Sequence, residues 1–480
     1  MVRTFTFARP KRLWLQVRRP ELATADDSRK ARLSAGNAIG EEACRQCTGG
    51  VMVEAVPDLA TAVETTRALM AAEVPAPIFE ATFEHDGVLV RCDVMEPDGE
   101  GGWTMAEVKS SGGVKDYHRG DLATQLWVAR GAGVRVTRAA IRHIDTGFTL
   151  EREGDYRGLF ADADLTADLA AEVAGRPALA MAARAVLAGP EPEQPVGGHC
   201  ALPFGCEFVD HCYAGLPEGP EWPVTVLPNG AGAKWRERGV EDLLDLDPAT
   251  LKGQSLRVHR ATVTGVPDHD PAGAGAIIAT WAYPRTWLDF ETIGDALPRW
   301  VGTSPFAQVP FQFTAIVEDE GGGEALHEFL HLSGTDPRRA CAEALLKLPR
   351  KGAVIAYNAG FEGRVIRELA ETFPDLAGPL EALRARLVDL WPVTKKHWYH
   401  RDQRGSWSIK AVLPTLAPEM DYAGLEVKDG GEAQVAWREA VDPATRPERR
   451  AALDAALRAY CGRDVEAMRV VARGLVGRGP

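Results

Sequence analysis

The chain has 480 residues, more than the ~250–300 that one hydrophobic core usually reaches, so the length predicts two or three domains. Its 45% hydrophobic and 26% charged residues are typical of an ordinary globular protein. The formal net charge of −13 argues against a protein that coats nucleic acid, although metal sites concentrate carboxylates and leave a nuclease compatible with it. Because the chain has no apolar run of ~18 residues and no secretory leader pattern, we expect a cytoplasmic protein without membrane spans.

The first part of the chain predicts helices around a small β-meander. Residues 25–70 have helical character, and 78–109 hold three segments of β-forming residues separated by turns. Residues 118–132 have helical apolar spacing. Another strand is expected at 133–145, before a helical region that extends to about residue 188.

A first group of polar residues lies on this meander. Asp93 closes one strand, and Glu107 and Lys109 follow on the next, where residues two apart point to the same face. Two carboxylates hold Mg²⁺ through oxygen ligands, and a lysine orients water and offsets phosphate charge. Gln125 on the following helix and Glu80 one strand earlier extend the group. The alternative is a solvated hairpin face, since the motif is short.

These residues resemble the PD-(D/E)XK nucleases of the RecB type, over about residues 1–215. The resemblance is carried by the RLWL start, a glycine-spaced helix, the EVKS segment and the helix with the glutamine: Arg12–Leu15, Gly36, Gly40, Glu107–Ser110 and Gln125. It implies a restriction-endonuclease-like fold. The closest likeness is to the iron–sulfur branch that includes the CRISPR adaptation nuclease.

Three cysteines follow at regular spacing and bear on that likeness: Cys200, Cys206 and Cys212. The resemblance implies that they bind a [4Fe–4S] cluster together with a fourth cysteine near the N-terminus, since such clusters need four thiolates. Arg9 stands at the position expected for that cysteine. Three alternatives stay open. Cys44 or Cys47 supplies the fourth ligand, a histidine completes a zinc site, or the three thiols bind no metal.

The second part of the chain begins with a Pro-, Gly- and Ala-rich region, 216–283, which is expected to connect two domains and to contain one helical piece near 237–247. An antiparallel meander of three strands is then predicted at 285–293, 309–319 and 325–334. A short buried strand is predicted at 352–358, and three helices are predicted at 337–348, 360–372 and 446–475.

A second set of carboxylates comes from three separate segments of this part. Asp289 and Glu291 lie two apart on the first strand, and Glu362 lies where a strand turns into a helix. Tyr460 and Asp464 share one face of the last helix. Such carboxylates are suited to two divalent ions ~4 Å apart, the arrangement for in-line displacement at phosphorus. Each piece alone has a structural alternative, as an exposed strand face or a packing aromatic.

The pattern resembles the DnaQ-like DEDD exonucleases, with an RNase H-like fold, over about residues 284–475. Ala459 stands where the histidine-type members carry histidine, so the tyrosine-type spacing applies. Glu362 replaces the usual aspartate of the second motif, and Asp389 fits a recurring acidic position without being expected as a ligand. The resemblance implies a Mg²⁺- or Mn²⁺-dependent 3′–5′ exonuclease in which Tyr460 orients the attacking water.

The run SWSIKAVLP at Ser406–Pro414, with WLDFETI and the RLWL start, resembles a bacterial family of unknown function that joins both nuclease-like halves. We therefore predict an α/β protein with a nuclease domain at 1–215, a linker or small subdomain at 216–283 and an exonuclease domain at 284–480. Its expected partners are nucleic acid, DNA more than RNA, and a helicase or a defence or repair protein. The alternative is a nucleic-acid-binding scaffold with one or both sites inactive.

Overall fold

The structure is a computed structural model that describes residues 9–24 and 27–478, and the side chains of 27–35 lie outside the description. It has mixed α/β architecture and divides into two units. Unit 1 contains the described residues up to Pro217 together with Asp295–Ala307, and unit 2 contains Glu218–Gly294 and the described residues from Gln308 onward. The predicted linker at 216–283 therefore lies almost entirely within unit 2.

Unit 1 is built on a six-stranded sheet whose strands lie in chain order: β1 (Val51–Met52), β2 (Ile78–His85), β3 (Val88–Pro97), β4 (Trp103–Lys109), β5 (Val136–Ile144) and β6 (Phe160–Asp164). Strands β2, β3 and β4 form an antiparallel meander, and β5 runs parallel to β4. The meander predicted from the sequence is therefore confirmed.

The described helices of unit 1 are α1 (Pro10–Arg18), α2 (Asp27–Gln46), α3 (Leu59–Met70), α4 (Asp116–Gly131), α5 (Ala170–Ala188) and α6 (Val209–Tyr213). Helix α4 contributes Leu122 and Leu126 to the same buried core as Met105 of β4 and Ile141 of β5. The helix predicted at 118–132 is confirmed. The region predicted as helical at 25–70, with a break at Gly49 and Gly50, contains α2 and α3, and β1 and a loop separate these helices after that break.

The segment Asp295–Ala307 belongs to unit 1 although it lies between two strands of unit 2 in the sequence. Leu297 and Phe306 pack with Ile144 of β5, and Leu150 and Thr303 are joined by a 3.0 Å backbone hydrogen bond. The apolar residues of this segment explain why it packs against the core of unit 1 rather than forming a free loop.

Unit 2 contains a five-stranded sheet and a separate antiparallel pair, with strands β7 (Asp268–His269), β8 (Arg285–Ile293), β9 (Val309–Glu318), β10 (Glu324–Leu330), β11 (Val354–Ala356), β12 (Leu387–Asp389) and β13 (Trp398–Tyr399). The sheet order is β10–β9–β8–β11–β12, and β13 pairs with β7. Strands β8, β9 and β10 are antiparallel, as predicted, whereas β11 runs parallel to β8 and β12 to β11.

The described helices of unit 2 are α7 (Ala233–Arg236), α8 (Gly253–Thr264), α9 (Pro271–Ile278), α10 (Arg338–Leu345), α11 (Gly360–Thr372), α12 (Ala377–Arg384), α13 (Leu390–His397), α14 (Ile409–Leu416), α15 (Gly430–Val441) and α16 (Pro447–Leu475). The predictions of α10, α11 and the long terminal helix α16 are confirmed. The helix predicted at 237–247 is wrong, because that segment forms only a 3₁₀ turn at Leu243–Asp245. The Asp242 and Asp247 side chains accept backbone N–H groups there and compete with helical hydrogen bonds.

The region that precedes β8 has a hydrophobic core of its own. Trp222, Leu243 and Val258 pack there with Tyr399 and Trp407 from the later part of unit 2. Through Trp407, this packing fixes the segment that precedes α14 against the core. Among the described residues, no helix combines the length and the apolar character needed to cross a bilayer.

Candidate functional site

Three carboxylates of unit 2 meet at one point of the sheet. Strand β8 brings Asp289 and Glu291 to one face, opposite Thr314 and Gln312 of β9, and helix α16 carries Asp464 over that face. One oxygen atom from each of the three carboxylates lies within 4.8 Å of the others. We call Asp289, Glu291 and Asp464 the unit 2 carboxylate cluster. Its spacing is suited to a divalent cation held by oxygen ligands.

The cluster is held in an unfavourable electrostatic state. Burial and then the charges of Asp464 and Glu291 raise the pKa of Asp289 well above its ordinary value. Burial and then Asp464 raise the pKa of Glu291 to about 8, and burial raises the pKa of Asp464. Buried like charges of this kind favour either protons or a bound cation.

Glu362 lies beside the cluster, in the first turn of α11, and is 3% exposed. Within the described residues its Oε2 atom is buried without a hydrogen-bond partner, and burial raises its pKa to about 8. It stands outside the set of oxygens within 4.8 Å, but its charge contributes to the raised pKa of Asp289. An unpartnered buried carboxylate needs a proton or a cation.

The turn before Glu362 has strained backbone. Asn358 adopts a φ of 76°, and its N–H donates to Asp389 Oδ1 at 2.9 Å, which also accepts the N–H of Trp391. Asp389 thus positions the turn. Left-handed backbone at a non-glycine residue is often found at functional sites.

Two residues that the sequence reasoning did not single out for a role complete the surroundings of the cluster. The Tyr422 hydroxyl donates to Asp464 Oδ1 at 2.5 Å. Lys410, the second residue of α14, donates to the Tyr460 hydroxyl at 3.2 Å, and its ammonium lies 5.1 and 4.9 Å from the ring centroids of Tyr422 and Tyr460. Lys410 opposes the raised pKa of Asp289, as one positive charge among several carboxylates. The SWSIKAVLP run, which contains Lys410, was the only signal for it.

The predicted site residues of unit 1 lie close together, near the point where the pairing of β3 with β4 ends. The last pair of this ladder is Val94 with Ala106. Beyond it, the Val108 N–H of β4 donates to the side-chain Oδ2 of Asp93 in β3 at 2.7 Å. Glu107 accepts from Lys109 Nζ at 2.7 Å and from Gln125 Nε2 at 2.6 Å. The four residues Asp93, Glu107, Lys109 and Gln125 therefore form one connected group, which we call the unit 1 polar cluster.

The electrostatics of the unit 1 polar cluster resemble those of unit 2. Burial and then Glu107 raise the pKa of Asp93 well above its ordinary value. Burial alone would lower the pKa of Lys109, but Glu107, Asp121 and Asp93 outweigh it and raise that pKa. Asp121, 3.5 Å from Lys109 Nζ, is an addition from α4. The pair of carboxylates is thus only partly neutralised by the lysine.

Glu80 lies in β2 beside this cluster and has left-handed backbone, with a φ of 55°. Regular pairing of β2 with β3 is interrupted at this residue, between Phe79↔Val94 and Ala81↔Cys92. Its carboxylate forms an ion pair with Arg91 Nε at 3.1 Å. The ion pair with Arg91 compensates the charge of Glu80 without a metal. The left-handed backbone of Glu80 lies beside the unit 1 polar cluster, and such backbone is often found at functional sites.

The three cysteines Cys200, Cys206 and Cys212 line one small cavity together with Arg9. Among the described residues their sulfur atoms are not gathered within 4.8 Å of one another, with or without a neighbouring histidine. Cys47 lies elsewhere, 3.5 Å from both Glu96 and Arg142. Three thiols line this cavity, one fewer than a four-thiolate cluster needs.

Comparison with known families gives one match. A family model described as a domain of unknown function (DUF2779) matches residues 286–408. This range contains Asp289, Glu291, Glu362 and Asp389 but ends before Lys410 and the helix with Tyr460 and Asp464. No curated protein and no solved structure matches the chain.

Proposed function

We propose that unit 2 is a metal-dependent 3′–5′ exonuclease of the DnaQ-like DEDD type, which hydrolyses phosphodiester bonds in nucleic acid. The observation that carries the proposal is the unit 2 carboxylate cluster, three oxygens within 4.8 Å of one another in a buried position. The order of the contributing segments supports it: β8, then α11 with Glu362, then α16. The strand order β10–β9–β8–β11–β12 is compatible with an RNase H-like fold.

The carboxylates make a cation necessary for the active state. Asp289, Glu291 and Asp464 would hold Mg²⁺ or Mn²⁺, with Glu362 close enough to take part, because hard divalent ions prefer oxygen ligands. When bound, such an ion supplies an activated water and charge neutralisation at the phosphate. Its positive charge would also release the protons that the raised pKa values retain at neutral pH.

The tyrosines and the lysine supply positioning. In this proposal the Tyr460 hydroxyl orients the attacking water, and Lys410 holds that hydroxyl in place through its 3.2 Å hydrogen bond. Tyr422 holds the Asp464 carboxylate in one orientation. The ammonium of Lys410 also offsets negative charge near an incoming phosphate. Each of these groups is preorganised by the fold, which is what an electrostatic site needs.

For unit 1 we propose a second nuclease site of the PD-(D/E)XK type, acting on DNA. Asp93 and Glu107 would share a divalent ion, Lys109 would orient the attacking water and Gln125 would hold Glu107. The hydrogen bonds from Gln125 and Lys109 to the two oxygens of Glu107 support this arrangement. We further propose DNA rather than RNA as the main substrate, and a helicase or another defence or repair protein as a partner that opens duplexes.

The test uses end-labelled single- and double-stranded DNA and RNA with Mg²⁺ or Mn²⁺. The full chain is compared with Asp289→Asn, Asp93→Asn, the double variant and Glu419→Gln, an exposed carboxylate of unit 2 that serves as the matched control. We expect stepwise shortening from labelled ends that Asp289→Asn abolishes and Asp93→Asn leaves intact. Tight binding without hydrolysis on every substrate would support the scaffold alternative instead. Activity that survives the double variant would refute the proposed catalytic sites.

A further inference from the structure

The cavity between α1 and the cysteine segment is the most unusual polar site outside the two clusters. Its lining includes three basic residues of the N-terminal segment, the three cysteines and one histidine: Arg9, Lys11, Arg12, Cys200, Cys206, Cys212 and His199. Its volume is about 20 Å³. That is the space of about one water molecule, so little room remains for an inorganic cluster.

Arg9 is a buried part of the lining of this cavity. The residue is 6% exposed, and within the described part of the chain its Nη1 atom is buried without a hydrogen-bond partner. Burial, and then Arg12, lowers the pKa of Arg9, while Cys206 and Cys200 oppose that shift. The guanidinium therefore lies within electrostatic range of two of the three thiols. A buried cation is costly unless neighbouring groups compensate its charge.

Burial favours the protonated form of two of the three thiols. Burial raises the pKa of Cys206 and of Cys212. Metal ligation needs thiolates, and an iron–sulfur cluster of this kind needs four of them. Cys47 is 3.5 Å from Glu96 and Arg142 in the sheet of unit 1, and Cys44 is influenced by Asp93. The candidate replacements for a fourth thiolate thus belong to another part of unit 1.

Ion pairs and hydrogen bonds already join the two segments that a shared cluster would otherwise join. Arg12 pairs with Glu207 at 2.7 Å, between side chains that are 7% and 6% exposed, and Gln16 donates to the same carboxylate at 2.7 Å. Lys11 pairs with Glu191 at 3.0 Å. The Thr24 N–H donates to the carbonyl of Glu207 at 2.8 Å. The cysteine segment is therefore attached to α1 through contacts that use no metal.

We propose that Arg9 takes the fourth corner of the cysteine site, so that a guanidinium among three thiols replaces an iron–sulfur cluster. The proposal does not rest on the nuclease activity of either unit. It states that the wild-type chain binds neither iron nor zinc here, and that the identity of residue 9 alone decides this. A cysteine at position 9 would both free the space of the guanidinium and supply the missing thiolate.

The test measures iron, acid-labile sulfide and zinc in the full chain after anaerobic purification, and again after reconstitution with iron and sulfide. We expect near-zero metal in the wild type. Arg9→Cys should gain about four iron and four sulfide per chain, with visible absorbance. Arg9→Ser is the matched control, since it frees the same space without adding a thiol, and should gain neither. The gain should be lost when Cys206→Ser is added to Arg9→Cys.

Two results would overturn the proposal. One is stoichiometric iron or zinc in the wild type that Cys206→Ser removes. The other is an Arg9→Cys chain that has native circular dichroism but remains free of iron after reconstitution. If that variant does not fold, the wild-type metal content still decides the first half. Titration of wild-type thiols with and without a chelator then checks that half a second time, because thiols that hold no metal should react equally in both conditions.

Discussion

The raised pKa values in unit 2 predict an unusual dependence of stability on pH when no divalent ion is present. Glu291 and Glu362 have pKa values of about 8 in the folded chain, against an ordinary value of 4.5. Between those values the folded state retains protons that the unfolded state has released, so the free energy of unfolding falls as pH rises. The sign follows from the carboxylate repulsion: deprotonation places uncompensated charge in a buried site.

The magnitude can be worked from one net proton. A difference of one proton costs about 1.4 kcal/mol per pH unit, or about 3 kcal/mol between pH 6 and pH 8. For a unit of this size, each kcal/mol shifts Tm by about 2–4 °C, so we expect Tm to fall by roughly 6–12 °C. A divalent ion present at 100 times its Kd would restore about 2.7 kcal/mol, chiefly at the upper end of this range.

Thermal unfolding in EDTA and in Mg²⁺ or Mn²⁺, followed from pH 5.5 to 8.5, measures both effects. Glu291→Gln should flatten the curve in EDTA and weaken the response to the ion, whereas Glu419→Gln, at an exposed position, should leave both unchanged. A wild-type Tm that stays constant or rises across this interval in EDTA would refute the reasoning. So would a Glu291→Gln chain whose slope equals that of the wild type.

Two further predictions concern single contacts. Tyr422→Phe removes the 2.5 Å hydrogen bond to Asp464. A hydrogen bond to a charged group is worth about 1.5–3 kcal/mol, so hydrolysis near neutral pH should fall by about tenfold to a hundredfold with its pH profile moved upward. An unchanged profile, or an equal loss in the Tyr213→Phe control, would contradict this. Gly352 has a φ of 86°, and an added Cβ would overlap a carbonyl oxygen of the segment before β8. Gly352→Ala should therefore lose roughly 2–4 kcal/mol in denaturant unfolding. Gly378→Ala, in open space within α12, should be neutral or slightly stabilising, and equal stability of the two variants would disprove the argument.

Local patterns in the sequence determined much of this fold. Runs of β-forming residues between turns predicted the meanders that became β2–β4 and β8–β10, and helical patterns predicted α4, α11 and α16. These elements form where local preference and burial agree. The two-residue spacing of Asp289 and Glu291 also determined that both lie on one face of β8, because side chains alternate along any strand.

Only the tertiary structure decided how distant segments combine. It brought Asp464 to within 4.8 Å of the β8 carboxylates, added Lys410 from α14 and Tyr422 from the segment between α14 and α15, and left Glu362 outside the closest set. It likewise packed Asp295–Ala307 into unit 1 and placed Arg9 among the three cysteines. No local pattern encodes these contacts, because they depend on which buried surfaces fit together and on the charges that burial then forces into proximity.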